Sequence, residues 1–144
     1  MTDDAVAAWR AIRRLAHDAE TLARLRRRAD EHGITPSVAK ALVHLADGPP
    51  HAMRDLAEAL RCDTSYVTTV VDSLEDGGLA ERHPHPTDRR VKVVTLTPAG
   101  DQMAREVATM LDEPPSSFAR LTASEQHELA RLLAKLTDEG SAPG

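Results

Sequence analysis

The chain has one cysteine, Cys62, and a single Trp, Tyr and Phe in its 144 residues. One cysteine excludes an internal disulfide framework. Aromatic residues at 2% leave too few rings for an aromatic-lined ligand pocket. No apolar run is long enough to span a bilayer. The opening Met1-Thr2-Asp3-Asp4 is acidic and polar, unlike a secretory leader. The expectation is therefore a cytoplasmic protein with no membrane partner. There is no glycine-rich phosphate loop, no nucleophile elbow and no Cys/His cluster, so neither an enzyme nor a cofactor is expected. None of the seven histidines pairs with another at the i, i+4 spacing of a strong helical metal site. His83 and His85, two apart, are a weak pairing, and nothing demands that His17 and His44 meet, so no metal is expected.

The formal net charge is −5, which argues against indiscriminate coating of nucleic acid. The charge is uneven. Residues 101–144 hold four basic and eight acidic side chains, whereas Arg82, Arg89, Arg90 and Lys92 stand close together. A basic patch on an acidic body suits an oriented DNA binder, because the remainder repels the polyanion from the wrong side. The length fits one domain with a real core.

The most informative stretch runs from residue 53 to residue 97. Met53, Leu56, Ala57 and Leu60 follow i, i+3, i+4, i+7 spacing, which predicts a short helix with one buried face. Arg61-Cys62-Asp63 has the length of the turn in a helix-turn-helix, and Asp63 suits an N-cap. A second helix is predicted over Thr64–Asp76, with Val67, Val70, Val71 and Leu74 inward and Ser65, Thr68, Thr69 and Asp72 outward. Gly77-Gly78 stops it. Residues 79–83 read as a strand. Residues 84–90 cannot be regular strand, since two prolines remove ladder donors. Residues 91–96, rich in β-branched side chains, return as a second strand. Helix, turn, helix and a hairpin with an arginine-bearing tip make a winged helix-turn-helix. Its second helix would enter the major groove of DNA and its wing an adjacent minor groove.

At these residues the chain resembles the DNA-binding core of the MarR family of bacterial transcriptional regulators. That family typically carries an Asp-x-Arg wing tip and then a strand ending Leu-Thr-x-x-Gly. Asp88-Arg89-Arg90 and Leu96-Thr97-Pro98-Ala99-Gly100 match both. His85 departs from a common form in which an acidic residue precedes the tip. The motif-bearing match covers about a third of the chain.

The flanks read as helices. Residues 3 to about 32 are expected to form one long helix, with Trp9, Ile12, Ala16, Ala19, Ala23 and Leu25 as an apolar stripe, stopped by Gly33. Arg10, Arg13, Arg14 and the run from Arg24 to Arg28 read as a solvated face balanced by acidic neighbours, with a basic partner surface as the alternative. Thr35-Pro36 opens a third helix whose Val38, Leu42, Val43 and Leu45 face inward, and Gly48-Pro49-Pro50 ends it. Thr97-Pro98 opens another, marked by Met103, Val107, Met110 and Leu111. Thr122-Ala123-Ser124-Glu125 is a capping box for a last helix carrying Leu129, Leu132, Leu133 and Leu136, and residues 141–144 read as a frayed tail. The expected fold is mainly α with a small β-hairpin wing: an N-terminal dimerisation helix (1–34), a winged helix-turn-helix lobe (35–97) and C-terminal dimerisation helices (98–144). The family resemblance implies a homodimer with recognition helices ~34–36 Å apart.

Ser65, Thr68 and Thr69 are the expected contacts to phosphates or base edges, with Tyr66 flanking them and Thr64 in the first helical turn. Arg90 is the expected minor-groove residue, and Arg89 and Lys92 the expected phosphate contacts. The resemblance implies that Asp88 orients Arg90 through an ion pair. It also implies a small-molecule effector pocket between the dimerisation helices and the DNA-binding lobe, for which Trp9, Arg13, His17 and His44 are candidate lining residues. Cys62 is read as a small core hydrophobe rather than a redox sensor. The leading reading is a regulator of a double-stranded DNA operator, a repressor released by an effector. A winged-helix protein-interaction or assembly module is the alternative, favoured by the acidic net charge and opposed by the arginine wing.

Overall fold

The computed structural model describes residues 1–46 and 48–137. The chain forms two compact units, Met1–Glu113 and Pro114–Gly144. The first holds the core and the sheet.

The single N-terminal helix expected over residues 3–32 is in fact two, α1 (Asp3–Ala16) and α2 (Ala19–Glu31). Asp18 makes the break. Its backbone is extended (φ −61°, ψ 125°), and its carboxylate accepts from the Thr21 N–H at 2.9 Å and the Thr21 hydroxyl at 3.0 Å. Such a cap offers the backbone a local alternative to helical bonding, and the apolar stripe running past it hid the signal. His17 closes α1 by donating from Nδ1 to the Arg13 carbonyl at 2.9 Å. No side chain of α1 is buried, and α2 buries only Ala29.

Helix α3 (Pro36–Ala46) buries Val38, Ala41, Leu42 and Leu45. Helices α4 (Met53–Leu60) and α5 (Thr64–Asp76) have the bounds expected from their periodicity. Leu42 of α3, Leu56 of α4 and Leu74 of α5 are fully buried in one core with Val67, Val71, Val94 and Val107. Each such side chain contributes ~1.5–3 kcal/mol by leaving water. Cys62 is half-buried and packs against this cluster.

The sheet is antiparallel, in the order β1-β3-β2, from β1 (His51–Ala52), β2 (Ala80–Pro84) and β3 (Lys92–Leu96). β1 was not expected; two residues after Pro49-Pro50 are too few to show a period. Pro84, expected to lie outside the strand, is its last residue and pairs with Lys92. It is tolerated there because β2 is an edge strand.

Helix α6 (Pro98–Leu111) starts as its sequence implied. Thr97 Oγ1 accepts from the Gly100 N–H at 3.1 Å and donates to the Gly78 carbonyl at 2.7 Å. At its far end, Arg24 donates to the Glu113 carbonyl at 2.9 Å and Arg28 pairs with the Glu113 carboxylate at 3.2 Å. Part of the basic run on α2 is thus committed within the unit.

In the second unit a short 3-10 helix (Ser116–Arg120) precedes α7 (Ala123–Ala134). The capping box is closed, with Thr122 N–H to Glu125 Oε2 at 2.8 Å and Glu125 N–H to Thr122 Oγ1 at 3.3 Å. Leu136, expected on the helix face, follows the helix end and is exposed. The tail expected at 141–144 lies outside the described residues.

Candidate nucleic-acid interface

The turn before α5 is tight. Arg61 takes a left-handed conformation (φ 52°) that lets the Cys62 N–H reach the Ala57 carbonyl at 3.1 Å. Asp63 then caps α5, accepting from the Tyr66 N–H at 2.8 Å and the Ser65 hydroxyl at 2.7 Å. The Ser65 hydroxyl and then the Tyr66 N–H hold the Asp63 carboxyl below its ordinary pKa.

Val67, Val70, Val71 and Leu74 anchor α5 in the core, which leaves Thr64, Ser65, Tyr66, Thr68, Thr69 and Asp72 exposed. Two of the hydroxyls are turned onto the helix itself, Thr68 onto the Thr64 carbonyl at 3.0 Å and Thr69 onto the Ser65 carbonyl at 3.3 Å. Their oxygen lone pairs stay outward as acceptors. The Tyr66 hydroxyl shares a 2.7 Å hydrogen bond with Ser37 Oγ. Ser37 brings the start of α3 to this face, and no signal in the sequence marked it.

The wing is β2, the tip and β3. The strands stay in register from Ala80↔Leu96 to Pro84↔Lys92, and the His85 N–H closes the ladder on the Val91 carbonyl at 2.8 Å. At the tip, Asp88 Oδ1 accepts from both the backbone N–H and the Nε of Arg90, each at 3.2 Å. The Arg90 side chain is still 91% exposed, and Arg89 and Lys92 are exposed beside it. His85 Nδ1 lies 3.0 Å from the Thr87 hydroxyl, bracing the tip where an acidic residue is common in the family.

Arg82, close in sequence to these cations, is bound to α5 instead of being exposed with them. Its guanidinium lies on α5, donating to Asp72 Oδ1 at 2.5 Å, Glu75 Oε2 at 3.2 Å and the Thr68 carbonyl at 3.3 Å. Its backbone N–H donates to Glu75 Oε1 at 3.0 Å. The available signal was Asp72: a carboxylate on the outward face of this helix calls for a counter-charge.

The four candidate effector residues do not converge. Arg13 and His17 line an open cleft of about 620 Å³ with Arg10, Arg14 and Asp18 at the α1–α2 break. His44 lines a different cleft, of about 520 Å³, with Lys40, Val43, Leu60 and Arg61. Trp9 lines neither and is 59% exposed. The ring of His44 packs instead on His51, centroids 4.6 Å apart. Burial, and then the charge of His44, hold His51 below its ordinary pKa, with Asp55 opposing. Among the described residues, no three His, Cys, Asp or Glu side chains gather as a metal site.

A capped helix after a tight turn, followed by a hairpin with an exposed arginine tip, defines a winged helix-turn-helix protein. Residues 32–91 match the MarR family profile. A protein of Thauera aromatica described as a transcriptional regulatory protein for the hcr operon is 34% identical over 110 residues, covering 76% of this chain and 66% of that protein. The chain thus spans just under two thirds of that relative's length. The HTH-type transcriptional regulator BilQ of Clostridium symbiosum is 28% identical over 107 residues, 74% of each chain. Among solved structures, the reduced form of MarR from E. coli superposes with a TM-score of 0.74 at 25% identity, covering 88% of this chain and 93% of that one. The S. aureus MepR–DNA complex shares the fold, with a TM-score of 0.62 at 22% identity, covering 88% and 98%. Over residues 32–91 the chain is similar to the MarR family, and its fold is that of the solved MarR and MepR structures.

Proposed function

We propose that this protein is a sequence-specific, double-stranded-DNA-binding regulator that acts as a homodimer. Helix α5 seats in a major groove and the wing enters the adjacent minor groove. The observation that carries this reading is the wing tip, where Asp88 fixes the root of Arg90 while its side chain stays 91% exposed. An arginine held there is drawn to the enhanced negative potential of a narrow minor groove. Thr64, Ser65, Tyr66, Thr68 and Thr69 meet phosphates and base edges, and Arg89 and Lys92 meet phosphates. The likeness in fold to MepR, solved on DNA, supports the same placement.

The flanking helices support the dimer. α1 buries nothing and leaves Val6, Trp9 and Leu15 exposed, and α7 leaves Leu132 exposed. Amphipathic helices with an uncovered apolar stripe are suited to cover one another in a second copy. In this reading, residues 1–34 and 98–144 supply the dimerisation elements around the DNA-binding lobe of 35–97. The protein works in the cytoplasm as a repressor, released by a small molecule that favours one spacing of the two recognition helices by differential affinity. No helix among the described residues is long and apolar enough to cross a membrane.

The test is a titration of the purified protein against its own upstream DNA at several salt concentrations. The expected result is selective, nanomolar binding whose log affinity falls with log salt by about 0.9 per phosphate contacted. Weak binding, equal on random DNA, would move the protein-interaction reading to first place.

A further inference from the structure

Helix α5 is an unusual surface to offer to a polyanion. Asp72 and Glu75 lie one and two turns beyond Thr68 on the same side of the helix, and α5 itself carries no basic residue. At physiological salt the Debye length is ~8 Å, so carboxylates on a helix seated in the groove act on the nearest phosphates with little screening. What stands against them is Arg82, which comes from β2. It binds both carboxylates and the Thr68 carbonyl, and its side chain is only 27% exposed. With its guanidinium donors turned to α5, it is poorly placed to serve as a phosphate contact. One planar cation thus places its positive charge against two carboxylates and a carbonyl at once.

Resting on the DNA-binding reading above, we propose that Arg82 is a positioning residue: an internal counter-ion that lets the α5 carboxylates face DNA. Because it belongs to β2, the same contact ties the recognition helix to the wing. Arg82→Gln leaves two carboxylates without their cation. Adding Asp72→Asn to Arg82→Gln restores the local net charge of the native protein without restoring any contact of Arg82.

The test is fluorescence anisotropy of the full chain on its upstream DNA, with circular dichroism and light scattering to confirm that each variant is folded and assembled. Arg82→Gln should weaken binding by about tenfold, the order expected of an uncompensated charge near a phosphate at intermediate dielectric. Arg82→Lys, which keeps the charge, should stay within about threefold of the native protein, and Arg82→Gln/Asp72→Asn should recover to the same range. A merely structural clamp would be broken equally in the double variant, so a loss that Asp72→Asn fails to reverse overturns the proposal. So does native affinity in Arg82→Gln. Absence of selective binding by the native chain would instead bring down the DNA-binding reading itself.

Discussion

Replacing Gly100 with alanine should destabilise the protein, although helix propensity alone predicts a gain. Gly100 lies in the first turn of α6, where alanine is favoured over glycine by ~1 kcal/mol. A Cβ built there would sit 1.9 Å from the Leu79 carbonyl oxygen and 2.9 Å from its carbon. Both are backbone atoms, so no rotamer change relieves the clash, and the start of α6 must move off the chain leaving α5. Two hydrogen bonds hold it there, Thr97 N–H to the Leu79 carbonyl at 3.0 Å and Thr97 Oγ1 to the Gly78 carbonyl at 2.7 Å. Losing both costs about 2 kcal/mol, and residual overpacking adds about 1–3 kcal/mol. After the propensity gain, the net loss is about 2–4 kcal/mol, a fall in Tm of roughly 10 °C for a chain of this size. Thermal unfolding followed by circular dichroism, with Ala99→Gly as a control in the same turn, measures it. If Gly100→Ala melted with the native protein or above it, the close approach of the α6 start to Leu79 would be refuted. The same contact explains the glycine of the Leu-Thr-x-x-Gly motif physically: it is the residue that lets α6 start against the end of the recognition segment.

Leu74→Ala, which empties a fully buried site under α5, should cost about 2–5 kcal/mol in urea unfolding. Arg90→Ala should weaken operator binding at least tenfold at physiological salt with an unchanged melting curve; unchanged affinity would remove the wing from the mechanism. Light scattering at micromolar concentration should give twice the 15.6 kDa chain mass, and a monomer mass would refute the dimer. His51, held below its ordinary pKa by burial and His44, takes a proton more readily when unfolded. Stability should therefore be full above about pH 6.5 and fall as the pH drops below it. Urea midpoints between pH 5 and 8 should show this slope, and His51→Gln should flatten it.

Local chemistry made most of the elements legible in the sequence. The apolar periodicity of 53–60 and 64–76, the Asp63 and Thr97 caps, the Gly78 stop and the Thr122/Glu125 box each act within about four residues, and each stands where the sequence implied it. The arginine tip was legible for the same reason, since Asp88 and Arg90 are two residues apart. The exception among local signals was Asp18, whose cap was outweighed by a continuous apolar stripe. Long-range neighbours were a different matter. Arg82 and Asp72 are ten residues apart, Tyr66 and Ser37 twenty-nine, and β1 reaches β3 across three intervening elements. No periodicity records such pairings, because they arise only when the packed core brings separate elements together. Propensity and capping act along the chain and are written in it; whether a given arginine faces DNA or neutralises a neighbouring helix is set by distances across the fold, which tertiary packing alone decides.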